Sequence, residues 1–272
     1  MEINWEPVEP KVYRKGGLYQ HPSYDCEQKF IATYEDDSKY AIPCNGDGTL
    51  TWQETRPDDK YKSMIYADIG LCVNEISTNA FNGCEKLTGW TKWDNVQTIG
   101  YGAFQNCTSL TDVPTAPNIG AYAYANCSNL PLVVLPSGIK AINNHTFFQC
   151  KKLESADLPN GLESIGTSAF YRCEKLTGMT IPNSVKTIGY RAFSYCYSAT
   201  RFVIGTGITS IDNYAFANCL DLLSITINAI NPPTIGNNTF SGDYPIYVPA
   251  SSVNAYKSAW PQYYADRIFP IT

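Results

Sequence analysis

Residues 165–176 read Ile165-Gly-Thr-Ser-Ala-Phe170-Tyr-Arg-Cys173-Glu-Lys-Leu176, and this frame decides the fold. The pattern Ile-x-x-x-x-Phe-x-x-Cys-x-x-Leu recurs on both sides of it. Upstream copies begin at Ile76, Ile99, Ile119 and Ile142. Downstream copies begin at Ile188, Ile211 and, in degenerate form, Ile235. Successive isoleucines lie 23, 20, 23, 23, 23, 23 and 24 residues apart. A near-fixed period over eight copies predicts a solenoid, in which each repeat packs on its neighbours.

Each copy divides into two extended pieces and a turn. In Leu176-Thr-Gly-Met-Thr-Ile-Pro182, strand alternation predicts Leu176, Met179 and Ile181 inward and Gly178 and Thr180 outward. Pro182, like Pro136 and Pro159 in their copies, cannot continue the ladder and closes the strand. Val185-Lys-Thr-Ile188 is a second short extended piece. The residue after each isoleucine is Ser, Gly, Asn or Asp, which are favoured helix caps, so a helical turn is expected there. Phe and Cys share one face of that turn, and stacked copies place the phenylalanines in one column. Burying one ring contributes about 2–3 kcal/mol. The third copy is three residues short, because Thr111-Asp-Val-Pro-Thr-Ala-Pro117 leads almost directly to Ile119. An irregularity is expected at that point.

The fold class is therefore a mainly β repeat solenoid with short helical turns and about eight 23-residue repeats, capped at both ends. Residues 1–63 do not follow the repeat and are expected to hold an extended segment and a small β cap, with strands at 29–34 and 39–42 and a turn at Asn45–Gly48. Residues 64–245 are the solenoid. Residues 246–272 are expected to be a C-terminal cap of strand, short helix and strand, with Val253, Tyr256 and Trp260 at helical spacing. Lys92 stands where neighbouring copies have Ile, and its stem is expected to lie buried with the amine reaching solvent.

Charge narrows the partners. The net charge is −5, of which residues 1–63 carry −4, so the repeat body is nearly neutral. Neither a nucleic-acid partner nor membrane insertion is expected, since no basic footprint and no long apolar run is present. The chain opens without a basic, apolar leader, which fits either a mature secreted form or an intracellular protein.

Seven of the ten cysteines (84, 107, 127, 150, 173, 196 and 219) hold one repeat position. Parallel neighbours about 4.8 Å apart are too far and wrongly aimed for disulfides, so these are read as buried free thiols. Cys26, Cys44 and Cys72 stand outside this ladder, and a Cys26–Cys44 bridge is one reading. No metal site, cofactor site or nucleophile pair is read. There is no Cys-x-x-Cys pair, His145 sits at a variable repeat position, and Asp36-Asp37 and Asp58-Asp59 lie in turn-like segments.

Two surfaces remain as candidates for partner binding. Tyr101 and Tyr190 share one repeat position, and Tyr122 and Tyr214 share the next. Tyrosine offers apolar area with a polar tip, which suits protein or glycan contacts. The outward strand positions include Asp112, Ser155, Asp157, Thr180, Arg201, Ser224 and Thr226, with an apolar step at Leu132 and Val134. Solenoids usually bind on such a face.

The frame Leu176-x-x-Met179-x-Ile181-Pro182, Val185-x-x-Ile188-Gly189, Ala192-Phe193-x-x-Cys196 resembles the BspA-like, or Treponema-type, leucine-rich repeat family of bacterial surface proteins. The tail from Ile246 to Trp260 is similar to the usual end of such proteins. The resemblance implies a right-handed leucine-rich-repeat superhelix, extracellular or surface display, adhesion or partner binding, and no enzymatic activity. Tyr124 for Phe, Ala199 for Leu and Asp243 for Cys depart from the frame. A non-enzymatic, monomeric binding module engaging host protein or glycan is the main expectation. A structural scaffold, intracellular or part of an assembly, is the other.

Overall fold

A 23-residue repeat with two strand-forming pieces and one apolar turn can bury its Ile, Phe, Cys and Leu only against copies of itself. The computed structural model describes residues 28–43, 48–55, 59–90 and 95–272. It is a β-solenoid of about nine turns with few helices.

The broader face is built from parallel strands in strict repeat register. Gly178–Ile181 pairs with Arg201–Ile204, which pairs with Ser224–Ile227. Ile246–Val248 and Ile268–Pro270 extend that sheet. Leu132–Val134 and Ser155–Asp157 form a separate parallel pair. The narrower face stacks two-residue strands, so that Ile142, Ile165, Ile188, Ile211 and Ile235 are successive partners. Near the N-terminus, strands Gln28–Tyr34 and Lys39–Pro43 form an antiparallel hairpin. Gln28–Tyr34 also pairs antiparallel with Met64–Ile69, and Thr49–Leu50 starts the narrow face beside Glu75–Ile76.

The phenylalanine column is continuous. Rings stack at 5.0–5.7 Å from Phe81 through Phe104, Tyr124, Phe147, Phe170, Phe193 and Phe216 to Phe240. Phe30 closes the column at one end and Trp260 at the other. All of these rings are buried.

The segment after each isoleucine differs in detail from the helical turn expected. Its internal hydrogen bonds run from residue i to i−3, as in Ala169 to Gly166, Tyr171 to Ser168 and Cys173 to Phe170. Each repeat has two residues at positive φ, three after the isoleucine and two after the phenylalanine; Ser168 at 52° and Arg172 at 56° are one pair. The segment is thus a run of linked β-turns rather than a capped helix. Between those bonds, alternate N–H groups point along the axis to the next repeat: Ser168 to Tyr190, Phe170 to Ala192, Arg172 to Ser194. Glycine after the isoleucine has a different cause from capping. A Cβ on Gly189 would lie 2.8 Å from the Thr167 nitrogen and the Gly166 carbonyl carbon.

The short third copy interrupts both faces. No strand forms at residues 111–117, and the narrow face breaks between Asn118–Ile119 and Ala141–Ile142. Two side chains, Tyr124 and Asn143, mend this gap. The Tyr124 hydroxyl donates to the Pro114 carbonyl. The Asn143 side-chain amide donates to the Ile119 carbonyl at 2.6 Å, a role played by the backbone N–H of Gly166 or Gly189 in regular copies.

The seven ladder cysteines are free and buried, as read from the sequence. Cys72 is disulfide-bonded, and its partner lies outside the described residues. The Cys26–Cys44 reading, Lys92, the N-terminal extended segment and most of the Asn45–Gly48 turn also lie outside them.

Near the C-terminus, helices Val253–Ala259 and Gln262–Ala265 precede the last strand. Among the described residues, no helix is long and apolar enough to cross a membrane.

Candidate binding surface

The linked β-turns stack into an outer edge of the solenoid, and the side chains at their positive-φ positions line it. Such a backbone favours Gly and Asn and costs roughly 1–2 kcal/mol for other residues. Toward the two ends of the solenoid this preference is obeyed, with Asn79, Gly83, Gly102, Asn106, Asn238 and Gly242. In the middle it mostly is not. There Asn126 and Asn218 still follow it, but the other eight positions hold Tyr122, His145, Gln149, Ser168, Arg172, Arg191, Tyr195 and Tyr214.

The bulky ones among these side chains assemble with their neighbours. Tyr101, 48% exposed, packs on Tyr122 at 5.3 Å. Tyr122 stacks on His145 at 4.3 Å and 4°, and Phe148 stacks on Tyr171 at 5.1 Å and 8°. Tyr171 meets Tyr195, which meets Tyr197 edge-on. The Arg191 guanidinium lies over both Tyr190 and Tyr214, at 4.9 and 5.5 Å, and Arg172 lies over Tyr195. Tyr101 and Tyr122, and Tyr190 and Tyr214, are therefore brought together in two clusters. His145, Phe148, Arg172 and Arg191 were not among the residues read as binding candidates from sequence. Their repeat offsets, shared with the tyrosines, were the available signal. His145, at a variable repeat position, is a stacked member of this edge. Burial lowers its pKa, and its Nδ1 is buried without a partner, so the ring is neutral at neutral pH.

The broad strand face is more modest. Ser155, Asp157, Thr180 and Arg201 are exposed, Ser224 is half-buried, and Leu132 and Val134 are exposed apolar positions. Thr226 was expected outward on an open face, but it is buried. Its register partners on that face are Val203 and Tyr247, which flank it on either side, Tyr247 with a much larger side chain. Asp112 lies in the segment without a strand, half-exposed, and accepts the Val113 N–H at 3.0 Å. A shallow depression of about 510 Å³ is lined by Gly178, Met179, Thr180, Arg201 and Val203.

Asp36 behaves as a turn carboxylate. Hydrogen bonds from the Ser38 hydroxyl and N–H hold its pKa down at about 2. Among the described residues, no group of three or more His, Cys, Asp or Glu side chains could hold a metal ion.

The fold and its repeat register define a leucine-rich-repeat β-solenoid. The chain belongs to the family of BspA type leucine rich repeat regions, whose pattern matches residues 60–118 and 117–246 in six copies. A leucine rich cell surface protein from Faecalibacterium prausnitzii is 22% identical, with 89% of this chain and 76% of that one covered and a TM-score of 0.54. A leucine rich repeat protein of T. pallidum is 26% identical, with 73% and 84% covered and a TM-score of 0.49. No curated protein matches the chain.

Proposed function

We propose that this protein is a non-enzymatic binding or adhesion module, displayed on or secreted from a bacterial cell, that engages protein or glycan through the turn edge of its solenoid. The observation that carries this is the placement of Tyr, His and Arg at positive-φ positions that the end repeats give to Asn and Gly. Backbone strain held at one surface is a mark of function when the scaffold around it is rigid. The family, and the cell-surface description of a structural neighbour, support display outside the cell. So does the Cys72 disulfide, since such bonds persist in oxidising compartments. The N-terminal hairpin of Gln28–Tyr34 and Lys39–Pro43, and residues 246–272, are read as caps that keep the solenoid monomeric.

A scaffold without a ligand is the second reading, favoured by one observation: the ring faces of Tyr122, His145, Phe148 and Tyr171 are turned on each other. A screen against extracellular-matrix proteins and a glycan array separates the two. It compares wild type with a Tyr190→Ala/Tyr214→Ala variant and a strand-face variant, Asp157→Ala/Arg201→Ala. Binding lost only in the tyrosine variant supports the turn edge. Binding lost only in the strand-face variant moves the site there, and no binding favours the scaffold.

A further inference from the structure

Charge on the turn edge is concentrated in one place. The turns at 144–152, 167–175 and 190–198 carry five basic residues, Lys151, Lys152, Arg172, Lys175 and Arg191, against one acidic residue, Glu174. The turns before them hold only Glu85 and Lys86, and Lys86 is paired with Glu35 at 2.6 Å. The turns after them carry Asp221 and Asp243. A chain of net charge −5 thus presents a local cationic patch, which the nearly neutral total for the repeats conceals.

Lys151, Lys152 and Lys175 are exposed. None of the five basic residues forms an ion pair among the described residues. The Arg172 Nε is buried without a hydrogen-bond partner. The Lys175 N–H donates to the Lys151 carbonyl at 3.2 Å, so these turns are direct neighbours. Lys152 and Lys175 hold the same offset from their cysteines and stand one repeat apart, about 4.8 Å. Like charges this close cost stability unless counter-charge lies over them.

The geometry selects among polyanions. The alternate N–H groups that point along the axis are already used, in Gln149 to Tyr171, Arg172 to Ser194 and Tyr195 to Ala217. An acidic peptide therefore finds no ladder of donors to extend as an added strand. Single-stranded nucleic acid needs free aromatic faces to stack its bases, and here Phe148 and Tyr171 stack on each other. What remains is a row of cationic side chains interleaved with tyrosines, with Arg172 over Tyr195 and Arg191 over Tyr190 and Tyr214. That combination suits a chain of hydroxyl-rich rings carrying sulfate or carboxylate groups.

We infer that the turn edge from Lys151 to Arg191 binds a short stretch of acidic polysaccharide lying along the solenoid axis. The inference rests on the binding reading above and names the ligand class. Heparin is the probe, measured by biolayer interferometry on the full chain at low and physiological ionic strength. Neutral dextran, polyglutamate, oligothymidylate and an extracellular-matrix protein panel serve as comparators. The expected result is heparin binding that weakens with salt and falls about tenfold or more in Lys152→Glu/Lys175→Glu. Lys257→Glu, exposed on the C-terminal helix, leaves it unchanged. Circular dichroism melting verifies that each variant is folded. Equal heparin binding by the double variant overturns the inference. So does polyglutamate or oligothymidylate binding as tight as heparin through the same lysines. Binding to matrix proteins or dextran without binding to heparin overturns this inference and leaves the proposed function standing. Binding to nothing overturns both.

Discussion

The Cys173 thiol donates a hydrogen bond of 3.3 Å to the carbonyl of Phe147, one repeat earlier. That carbonyl already accepts the N–H of Cys150, so the thiol satisfies its second lone pair. The same bond recurs from Cys107 to Phe81, Cys127 to Phe104, Cys150 to Tyr124, Cys196 to Phe170 and Cys219 to Phe193. The cysteine column is therefore a hydrogen-bonded ladder as well as an apolar one.

This ladder makes stability depend on alkaline pH. Burial pushes the Cys127 and Cys219 thiols from 9.0 up to about 12, and those of Cys150, Cys173 and Cys196 well above their ordinary value. Since the folded pKa exceeds the unfolded one, the unfolded chain loses protons first as pH rises. The stabilisation is complete below about pH 9 and is lost from there toward the folded pKa, at up to about 1.4 kcal/mol per pH unit for each thiol. The melting temperature is expected to fall steeply above pH 9, and less steeply in Cys173→Ala. At neutral pH, iodoacetamide should leave all seven ladder thiols unmodified until denaturant is added. Labelling of the native protein at the rate of a free thiol would contradict the ladder.

Tyr124 gives a prediction opposite in sign to repeat consensus. Phenylalanine is the consensus residue, yet Tyr124→Phe removes the hydroxyl that serves the buried Pro114 carbonyl. A loss of about 1–3 kcal/mol is expected in urea unfolding. The reverse change in a regular copy, Phe147→Tyr, should also destabilise, by adding a buried hydroxyl to a regular, close-packed copy. Stabilisation by Tyr124→Phe would show that the hydroxyl does not repair the gap.

Gly178 and Gly161 form a natural pair of tests. Gly178 has a φ of 141°, and a Cβ there would meet the Arg201 carbonyl oxygen at 2.2 Å. Gly161 has a φ of 105° with nothing within 4 Å. Alanine at Gly161 should cost only backbone strain, about 1 kcal/mol, while Gly178→Ala should cost clearly more because two adjacent strands must part. Equal melting temperatures for the two variants would refute the close approach.

The architecture was legible because period is a one-dimensional signal: Ile, Phe, Cys and Leu at fixed offsets name the core without knowledge of any contact. Thr226 was misjudged because alternation assigns a face but not the size of the neighbours, Val203 and Tyr247, across that face. The capped helical turn was misread because an i, i+3 spacing of Phe and Cys fits helix and β-turn equally, and only the inter-repeat bonds distinguish them. The turn-edge surface was half legible. Tyrosines sharing a repeat offset pointed to it, but His145 and Arg191 share Tyr122's offset with different chemistry, and their stacking becomes visible only once repeats are superposed.

The end of the array yields the last prediction. Within the solenoid, each frame phenylalanine N–H donates to a carbonyl in the next repeat, as Phe193 does to Ala215 and Phe216 to Thr239. Phe240 has no following repeat, and its N–H donates instead to the Tyr264 hydroxyl at 3.3 Å. Arg267 reaches the Phe240 and Tyr244 carbonyls at 3.3 and 3.4 Å, and the Gly242 carbonyl as well. Two cap side chains thus take the place of an absent repeat: Tyr264 stands in for its backbone carbonyl at the Phe240 N–H, and Arg267 for its cysteine thiol at the Phe240 carbonyl. Tyr264→Phe keeps the ring on Phe240 but strips the acceptor, leaving a buried N–H unpaired at a cost of about 1–3 kcal/mol. Because repeat arrays unfold from weakened ends, the loss should be local. Hydrogen exchange in Tyr264→Phe is expected to quicken at Phe240 and Thr239 while Phe104 and Phe147 keep wild-type protection. Uniform quickening along the array would mean that the cap acts on the whole solenoid, and unchanged exchange at Phe240 would mean that the hydroxyl contributes nothing there.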